Sequence, residues 1–440
     1  MEKEIAKYLL KKLIEKGSDD VVISYVSSEA KQIKFVNNEI VKTGTEYLRS
    51  LNVFASLKKR LISTTLKDIT KKSADNLVDN ILNFSKNIRA KDDYYGIAKG
   101  PFKYKKIEDL YEKNYDDIDM VDLTVKGINA SLENAKRASG ILEGSNAKIY
   151  LTTSNNVELE YEGTHLYFSI RAFYDKESSG HKTVSGRTLK KFNVEKAGLE
   201  AGKVAKDAKN PIEGKPGRYD VILDPLASAP LFDAIGNSSS IFNVETGTSF
   251  FGNRLNKKVA DSGFTMYDDP TYPDGLNSIP FDSEGYPTIK NTVIKNGVFK
   301  TYLHNTSTAK KYNTKNTGNA GLIAPEPTNI LIDKGRKTRE ELIKNVKNGL
   351  YITNVWYTRF TNYATGDFST IPRDGIFLIK KGNIEGSIKN IRISENMLNI
   401  LNNLKEKAND IQQIRSWEAE IPVIIPSILV KNMRITGPVL

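Results

Sequence analysis

Residues 223–247 read LDPLASAPLFDAIGNSSSIFNVETG, and the rest of the chain is read outward from them. Asp224 is a capping residue and Pro225 suits a first helical turn. A short helix is therefore expected here, with Leu226, Ala229, Ala234 and Ile235 on its apolar side and Gly236 as its stop. Two imidazoles and a carboxylate near the end of such a helix, joined by one ligand from elsewhere, would hold zinc beside a general base. This helix offers Phe232, Asp233 and Asn237 instead. A phenyl ring does not ligate, an amide oxygen is a weak ligand, and with no cysteine in the chain there is no thiolate to add.

Upstream, apolar alternation predicts strands at 21–27, 32–36, 39–43, 48–55 and 61–65, with a turn at Asn37-Asn38 and a helix over 71–87. After an aromatic loop at 92–106, a helix is expected over 119–139 with Val121, Val125, Ile128, Leu132 and Ala135 inward. Strands follow at 147–153, 157–161 and 166–174, broken by Ser154-Asn155-Asn156 and Glu162-Gly163. A helix over 194–209 carries Ala197, Ala201, Val204 and Ala208, small residues that permit close packing. Pro211, Gly214, Pro216 and Gly217 then mark a boundary. The expected organisation is an amino-terminal α/β domain over 1–209, a linker over 210–217 and a strand-rich carboxy-terminal domain over 218–440.

Downstream, a strand at 219–223 is followed by a hairpin, 288–295 to 298–303, through Asn296-Gly297, a pair suited to the turn that matches strand twist. Strands at 329–332 and 350–355 flank a helix begun by Thr338 and Glu341 at capping-box spacing. A second hairpin, 376–380 to 384–393, turns at Gly382-Asn383, and a helix over 394–405 comes after it. The fold class is α+β in two domains: a sheet with packed helices, then a strand-rich half.

Composition narrows the functions. With 440 residues there is material for two cores, and 39% hydrophobic against 27% charged residues fits an ordinary globular protein. The absence of cysteine excludes disulfides, thiolate zinc sites and a cysteine nucleophile, and suits a cytoplasmic protein. Residues 1–17 read as a helix of the fold, not a signal segment, and the apolar stretch 421–430 is too short and too interrupted by proline to span a bilayer. A net charge of +12 permits contact with nucleic acid, but the lysines are dispersed among acids, so a diffusely basic surface is the favoured reading.

Few residues advertise chemistry. His165 falls in an alternating strand pattern, His181 in a loop and His304 just past a hairpin strand, and none is spaced for ligation with another. Ser238-Ser239-Ser240 reads as a polar loop closing the helix, since a hydrolase would need a base beside its nucleophile. Asp268, Asp269, Asp282 and Glu284 could supply oxygen ligands to a hard cation, although aspartate beside proline or glycine is ordinary turn chemistry. The aromatic run 350–363 could stack bases beside Arg359, or be a strand buried on one face with Trp356 and Phe360 as core, and the hairpin context favours the core.

The wording around these residues resembles the TldD/PmbA metallopeptidase family. FDAIGN occupies the place where catalytic members carry histidine-glutamate, three residues, then histidine, so Phe232 and Asn237 stand at the histidine positions and Asp233 at the glutamate. Asp282-Ser283-Glu284-Gly285 with Pro287, Asn296-Gly297-Val298, Thr317-Gly318-Asn319-Ala320, Pro327-Thr328-Asn329 and Gly366-Asp367-Phe368-Ser369 follow in the family's order. Thr153-Ser154-Asn155 and the order of elements extend a looser match through the amino-terminal half.

The resemblance implies a TldE/PmbA-type member lacking the zinc motif. In the family, a zinc-bearing subunit cleaves unfolded peptides or peptide leaders, and a subunit without the motif completes the chamber. This chain is then expected to bind no cofactor and to act only with a TldD-like partner that carries zinc, as a heterodimer or also as a homodimer. Peptide would enter extended, pairing with a strand edge, and Asn319, Arg359, Gly366 and Asp367 are the candidate peptide contacts. Two alternatives stay open: a self-sufficient metallopeptidase using the Asp268, Asp269, Asp282 and Glu284 oxygens, and a nucleic-acid or gyrase-associated modulator, the role that older family naming suggests.

Overall fold

The computed structural model describes residues 1–437. Val21, Ile23, Ile33 and Phe35 lie buried along a single strand, Asp20–Val36. The polar stretch 28–32 suggests a break, yet the ladder runs through it, because backbone pairing to Glu39–Leu57 and Arg137–Thr153 does not require apolar side chains. Asn37 and Asn38 take φ of 52° and 74°, the consecutive left-handed residues of a tight hairpin turn. The antiparallel sheet is ordered Arg60–Leu66, Glu39–Leu57, Asp20–Val36, Arg137–Thr153, Glu158–Phe173, Ser179–Gly186. Gly163 does not interrupt its strand; its missing side chain leaves room for the buried Arg187 guanidinium. His181 is buried in the last strand and not in a loop.

Helices cover this sheet in pairs. Glu2–Glu15 with Lys71–Ser85 encloses one apolar cluster, and Met120–Leu132 with Val194–Asp207 encloses another. The helix expected to reach residue 139 stops at Leu132, and Val121 and Val125 are exposed. Its inward side is Thr124, Gly127, Ile128 and Ser131, because the backbone at Gly127 and Ser131 meets Gly198 and Gly202 of the neighbouring helix with no room for a Cβ. Close approach through small residues thus outranks the larger valines. On the opposite face of the sheet, Val22, Phe54 and Leu151 pack with Tyr94, Ile97 and Phe281, joining the sheet to the second half of the chain.

The remaining strands form two sheets. In one, Asn348–Asn362, Gly217–Leu223, Ile428–Thr436, Arg392–Asn396 and Asp367–Lys380 pair in sequence, and the last pairs back to the first, so the sheet closes on itself. Closure removes the exposed edges that five strands would otherwise leave. The other runs Val298–Phe299, Asn291–Lys295, Met266–Asp268, Ile330–Ile332, Ala419–Ile425, Gln412–Ser416. The expected linker is itself docked: Ile212–Glu213 pairs with Ile388 and Lys389. The helix expected over 394–405 is confined to Met397–Asn403, since Arg392–Asn396 continues as strand.

Candidate functional site

Helix Pro225–Asn237 begins where its sequence says, with Asp224 accepting the Leu226 N–H at 3.3 Å. Every residue from Pro225 to Phe232 is buried, not one side alone. The helix lies between the two sheets, against Asn348–Asn362 on one side and Ala419–Ile425 on the other. Gly236 is not its stop. It sits within the helix against Ile330, where a Cβ would come within 2.6 Å of that side chain. Beyond Asn237 the serines close the turn: Ser239 Oγ donates to the Gly236 carbonyl at 2.6 Å, and Ser240 Oγ to the Pro325 carbonyl at 2.6 Å.

The start of the helix is anchored by charge. Asp224 Oδ2 accepts from Lys182 Nζ at 2.8 Å, Tyr351 Oη at 2.9 Å and Arg339 Nη1 at 3.4 Å. Burial pushes the Asp224 carboxyl up, but the Lys182 and Arg339 charges outweigh it and hold it below the usual carboxylate range.

The end of the helix opens into a cleft of ≈ 860 Å³, with Asp233 and Asn237 on one side. Asp233 Oδ1 accepts the Ile421 N–H at 2.8 Å, and its Oδ2 accepts from Asn237 Nδ2 at 3.3 Å. Burial, reinforced by the nearby Glu420 charge, pushes the Asp233 carboxyl up to about 6. The facing wall comes from the strand Asn348–Asn362. There the ladder skips between Trp356 and Arg359, and Tyr357 takes a φ of 58°. Glu418 holds this bulge by accepting the N–H groups of Tyr357 at 2.9 Å and Thr358 at 2.8 Å. Such a bulge re-aims side chains, and Thr358, Arg359 and Phe360 line the cleft with Trp417. Trp356 and Phe360 are half-buried, so neither is a full core residue as the hairpin pattern suggests.

Zinc does not fit this arrangement. Phe232 is fully buried, its ring 5.9 Å from that of Phe264, and the Asn237 amide is engaged with Asp233. Of the three motif positions only Asp233 still carries a ligating group free of a phenyl ring or amide, where a zinc site needs three protein ligands. Among the described residues, no group of three or more His, Cys, Asp or Glu side chains is arranged to hold a metal. Burial lowers His165, His181 and His304 alike to about 4. Asp268, Asp269, Asp282 and Glu284 each accept from nearby donors: Asp268 from Thr328 and Asn319, Asp269 from Thr271, Asp282 from the Ala320 N–H, and Glu284 from the Ala98 N–H.

Of the candidate peptide contacts, the structure brings Arg359 together with Asp233 and Asn237 in the cleft. Asn319 is 2% exposed and bonded to Asp268 and the Glu326 carbonyl; it borders a smaller hollow of ≈ 270 Å³ that shares Asn277, Glu326 and Pro327 with the cleft. Gly366 and Asp367 do not line either space. Gly366 takes a φ of 82°, and the Asp367 carboxylate accepts from Asn396 Nδ2 at 2.8 Å, so both shape a turn. Sequence reasoning missed Glu418, Trp417 and Ile421, whose distance along the chain from Asp233 hides their proximity. Tryptophan beside glutamate at 417–418 was the one available signal.

Comparison with known proteins gives a consistent relationship. Residues 216–437, half of the chain, match the PmbA/TldA metallopeptidase C-terminal domain. A metalloprotease of Archaeoglobus fulgidus is 32% identical over 217 residues, 48% of this chain and 50% of its own length. A metalloprotease TldD homolog of Buchnera aphidicola subsp. Schizaphis graminum is 30% identical over 243 residues, 52% of this chain and 50% of its own. The chain thus spans about half the length of these curated relatives in the matched region. Among solved structures, TldE from Thermococcus kodakarensis superposes with a TM-score of 0.86 at 22% identity, covering 98% of this chain and 100% of that one. A Thermotoga maritima protein named for modulation of a DNA gyrase gives 0.86 at 23% identity over 99% and 100%. Likeness at these identities establishes a shared α+β fold.

Proposed function

The chain belongs to the PmbA/TldD metallopeptidase family, and from that premise we propose that it is a non-catalytic subunit of a zinc metallopeptidase complex that cleaves unfolded peptides or peptide leaders. Zinc and its general base come from a TldD-like partner, and this chain completes the chamber in the cytoplasm. One observation carries the reading: the histidine positions of the family motif hold a ring packed in the core and an amide bonded to its own helix, while the cleft beside them stays open. Its role is then to hold substrate. An extended peptide has polar groups along both edges of its backbone, and the aromatic and polar wall of the cleft, Thr358 to Phe360 with Trp417, offers contacts without a demanding sequence preference.

The test is metal content of the purified chain together with cleavage of an unfolded peptide, alone and after adding a zinc-bearing homologue. Metal-free protein, inactive alone, that raises cleavage above the homologue's own level is the expected result. Arg359→Glu should then raise KM of the mixture more than it lowers kcat. Stoichiometric metal and cleavage by this chain alone would overturn the proposal and return attention to Asp268, Asp269, Asp282 and Glu284.

A further inference from the structure

We propose that the groove between the two halves of the chain, beside the docked linker, binds a phosphate monoester. The space, ≈ 400 Å³, is the size of a small-ligand site. The amino-terminal half contributes Arg171, Phe173 and Lys176 to its wall, and the carboxy-terminal half Arg373, Lys389 and Arg392. Glu177 and Asp374 are the carboxylates of the lining, and each is already taken, Asp374 by Arg171 at 2.6 Å and Glu177 by Lys389. Lys176, Arg373 and Arg392 have no salt-bridge partner among the described residues, so five cations against two carboxylates leave a surplus of three positive charges.

These cations are held in place before any ligand arrives. The Arg171 guanidinium lies between two rings, 5.0 Å from the centroid of Phe173 and 4.8 Å from that of Trp356, and Arg373 stands 5.3 Å from the same Trp356 ring. Arg171 Nε donates to Asp374 and Nη2 to Ser179 Oγ at 3.3 Å, which leaves Nη1 without an acceptor among the described residues. Arg373 is aimed by a bulge in which Asp374 and Gly375, with φ of 55° and 103°, together oppose Thr353. Fixing two guanidinium groups against one indole stores like-charge repulsion that an anion relieves, and it lowers the entropy lost on binding.

Two buried donors point the same way. Arg392 Nη1 donates to Ser369 Oγ at 2.9 Å, but its Nε is buried with no acceptor, and so is Nε1 of Trp356 in the stack. Both atoms can only donate, and a buried donor without a partner is uncommon in a native fold. Guanidinium forks suit carboxylate and phosphate alike. A carboxylate, however, offers one charge in one plane, whereas a phosphate monoester carries about two charges and three strong acceptor oxygens at neutral pH. The monoester can therefore meet Arg171, Arg373 and Arg392, which approach from three separate strands. None of the groove residues lines the cleft, so this site does not depend on the peptide-holding role.

The test is equilibrium dialysis of the full chain against inorganic phosphate and glycerol phosphate at constant ionic strength, with tryptophan emission followed in parallel. Both tryptophans of the chain, Trp356 and Trp417, stand in one stack with ring centroids 5.4 Å apart, so emission reports on the ring that Arg171 and Arg373 cover. Saturable binding with the same midpoint by both readouts is expected. Arg373→Gln and Arg392→Gln should each weaken it about tenfold, as loss of a charge-assisted bond does. Arg373 is exposed, so its replacement leaves the fold intact, and Lys72→Gln, on the exposed surface of the helix Lys71–Ser85, is the control that should bind as the parent does. Dimethyl phosphate, a diester with a single charge, should bind far more weakly, which separates a monoester from a nucleic-acid backbone. Absence of saturable binding, parent-like binding by both arginine variants, equal weakening by Lys72→Gln, or dimethyl phosphate binding as tightly as glycerol phosphate would each rule the assignment out.

Discussion

Lys182 Nζ lies 2.8 Å from Asp224 Oδ2, with both side chains buried, and this contact ties the edge strand Ser179–Gly186 to the start of the cleft helix. A charge on the amino-terminal sheet therefore helps to place the cap of the helix on which the cleft is built. Sequence separation is no guide to such a pair.

Removing one member of the pair leaves the other buried. Lys182→Met should cost about 3–5 kcal/mol of stability, the usual penalty for breaking a buried ion pair, softened by Arg339 and Tyr351, which still donate to Asp224. Asp224→Asn, which among the described residues leaves Lys182 with the more distant Glu200 as its carboxylate partner, should be the more damaging. Denaturant unfolding of both single variants and the double gives the coupling; additive losses would show that the contact contributes nothing.

At the motif helix, Phe232→His places an imidazole in a fully buried apolar site against Phe264. The expected outcome is a loss of about 3 kcal/mol or more and no gain of zinc. Thermal unfolding with and without added zinc reads both effects. Stabilisation by the metal would mean that the motif position is less committed to packing than its geometry indicates.

For Asp233 the pH dependence has a definite sign. Its folded carboxyl is raised to about 6 by burial, from an ordinary value of 3.8. The folded state holds the proton more tightly, so stability is fully present below 3.8 and falls as pH rises to about 6. Asp233→Asn should match the parent in acid and exceed it above that window by up to about 3 kcal/mol. A parent curve parallel to that of the variant from pH 4 to 7 would contradict the assignment.

Asp282 and Glu284 present the same sign at the seam between the two halves. Burial raises both, and the Asp282 charge raises Glu284 further, while Glu284 Oε2 accepts the Ala98 N–H at 3.1 Å. Folded protein should hold a proton here at neutral pH that the unfolded chain releases, so stability declines as pH rises above the ordinary carboxylate range. Glu284→Gln is expected to flatten that decline. Calorimetric unfolding in buffers of different ionisation enthalpy measures the released proton directly.

Local chemistry alone announced a good deal. Asp224 with Pro225 marked the start of the cleft helix, Asn37-Asn38 and Asn296-Gly297 marked turns, and Thr338 with Glu341 marked a capping box, because each of these signals acts within a few residues. The absence of imidazoles at 232 and 237 was equally plain, and so was the family. Errors fell where partners came from afar: Gly236 reads as a stop but fits against Ile330, and Val121 and Val125 read as core but yield to the glycine contacts of Gly198 and Gly202.

By itself, then, the sequence determined the class of fold, the family and the absence of histidine at positions 232 and 237, since these depend on residue type and short spacing. Tertiary structure alone decided that Asp233 meets Ile421, that Glu418 props the bulge beside Arg359, and that Lys182 anchors Asp224. Each of those contacts is an acceptor buried near a donor far away along the chain. Burial makes such a pair matter, and only the packed sheets bring its members together.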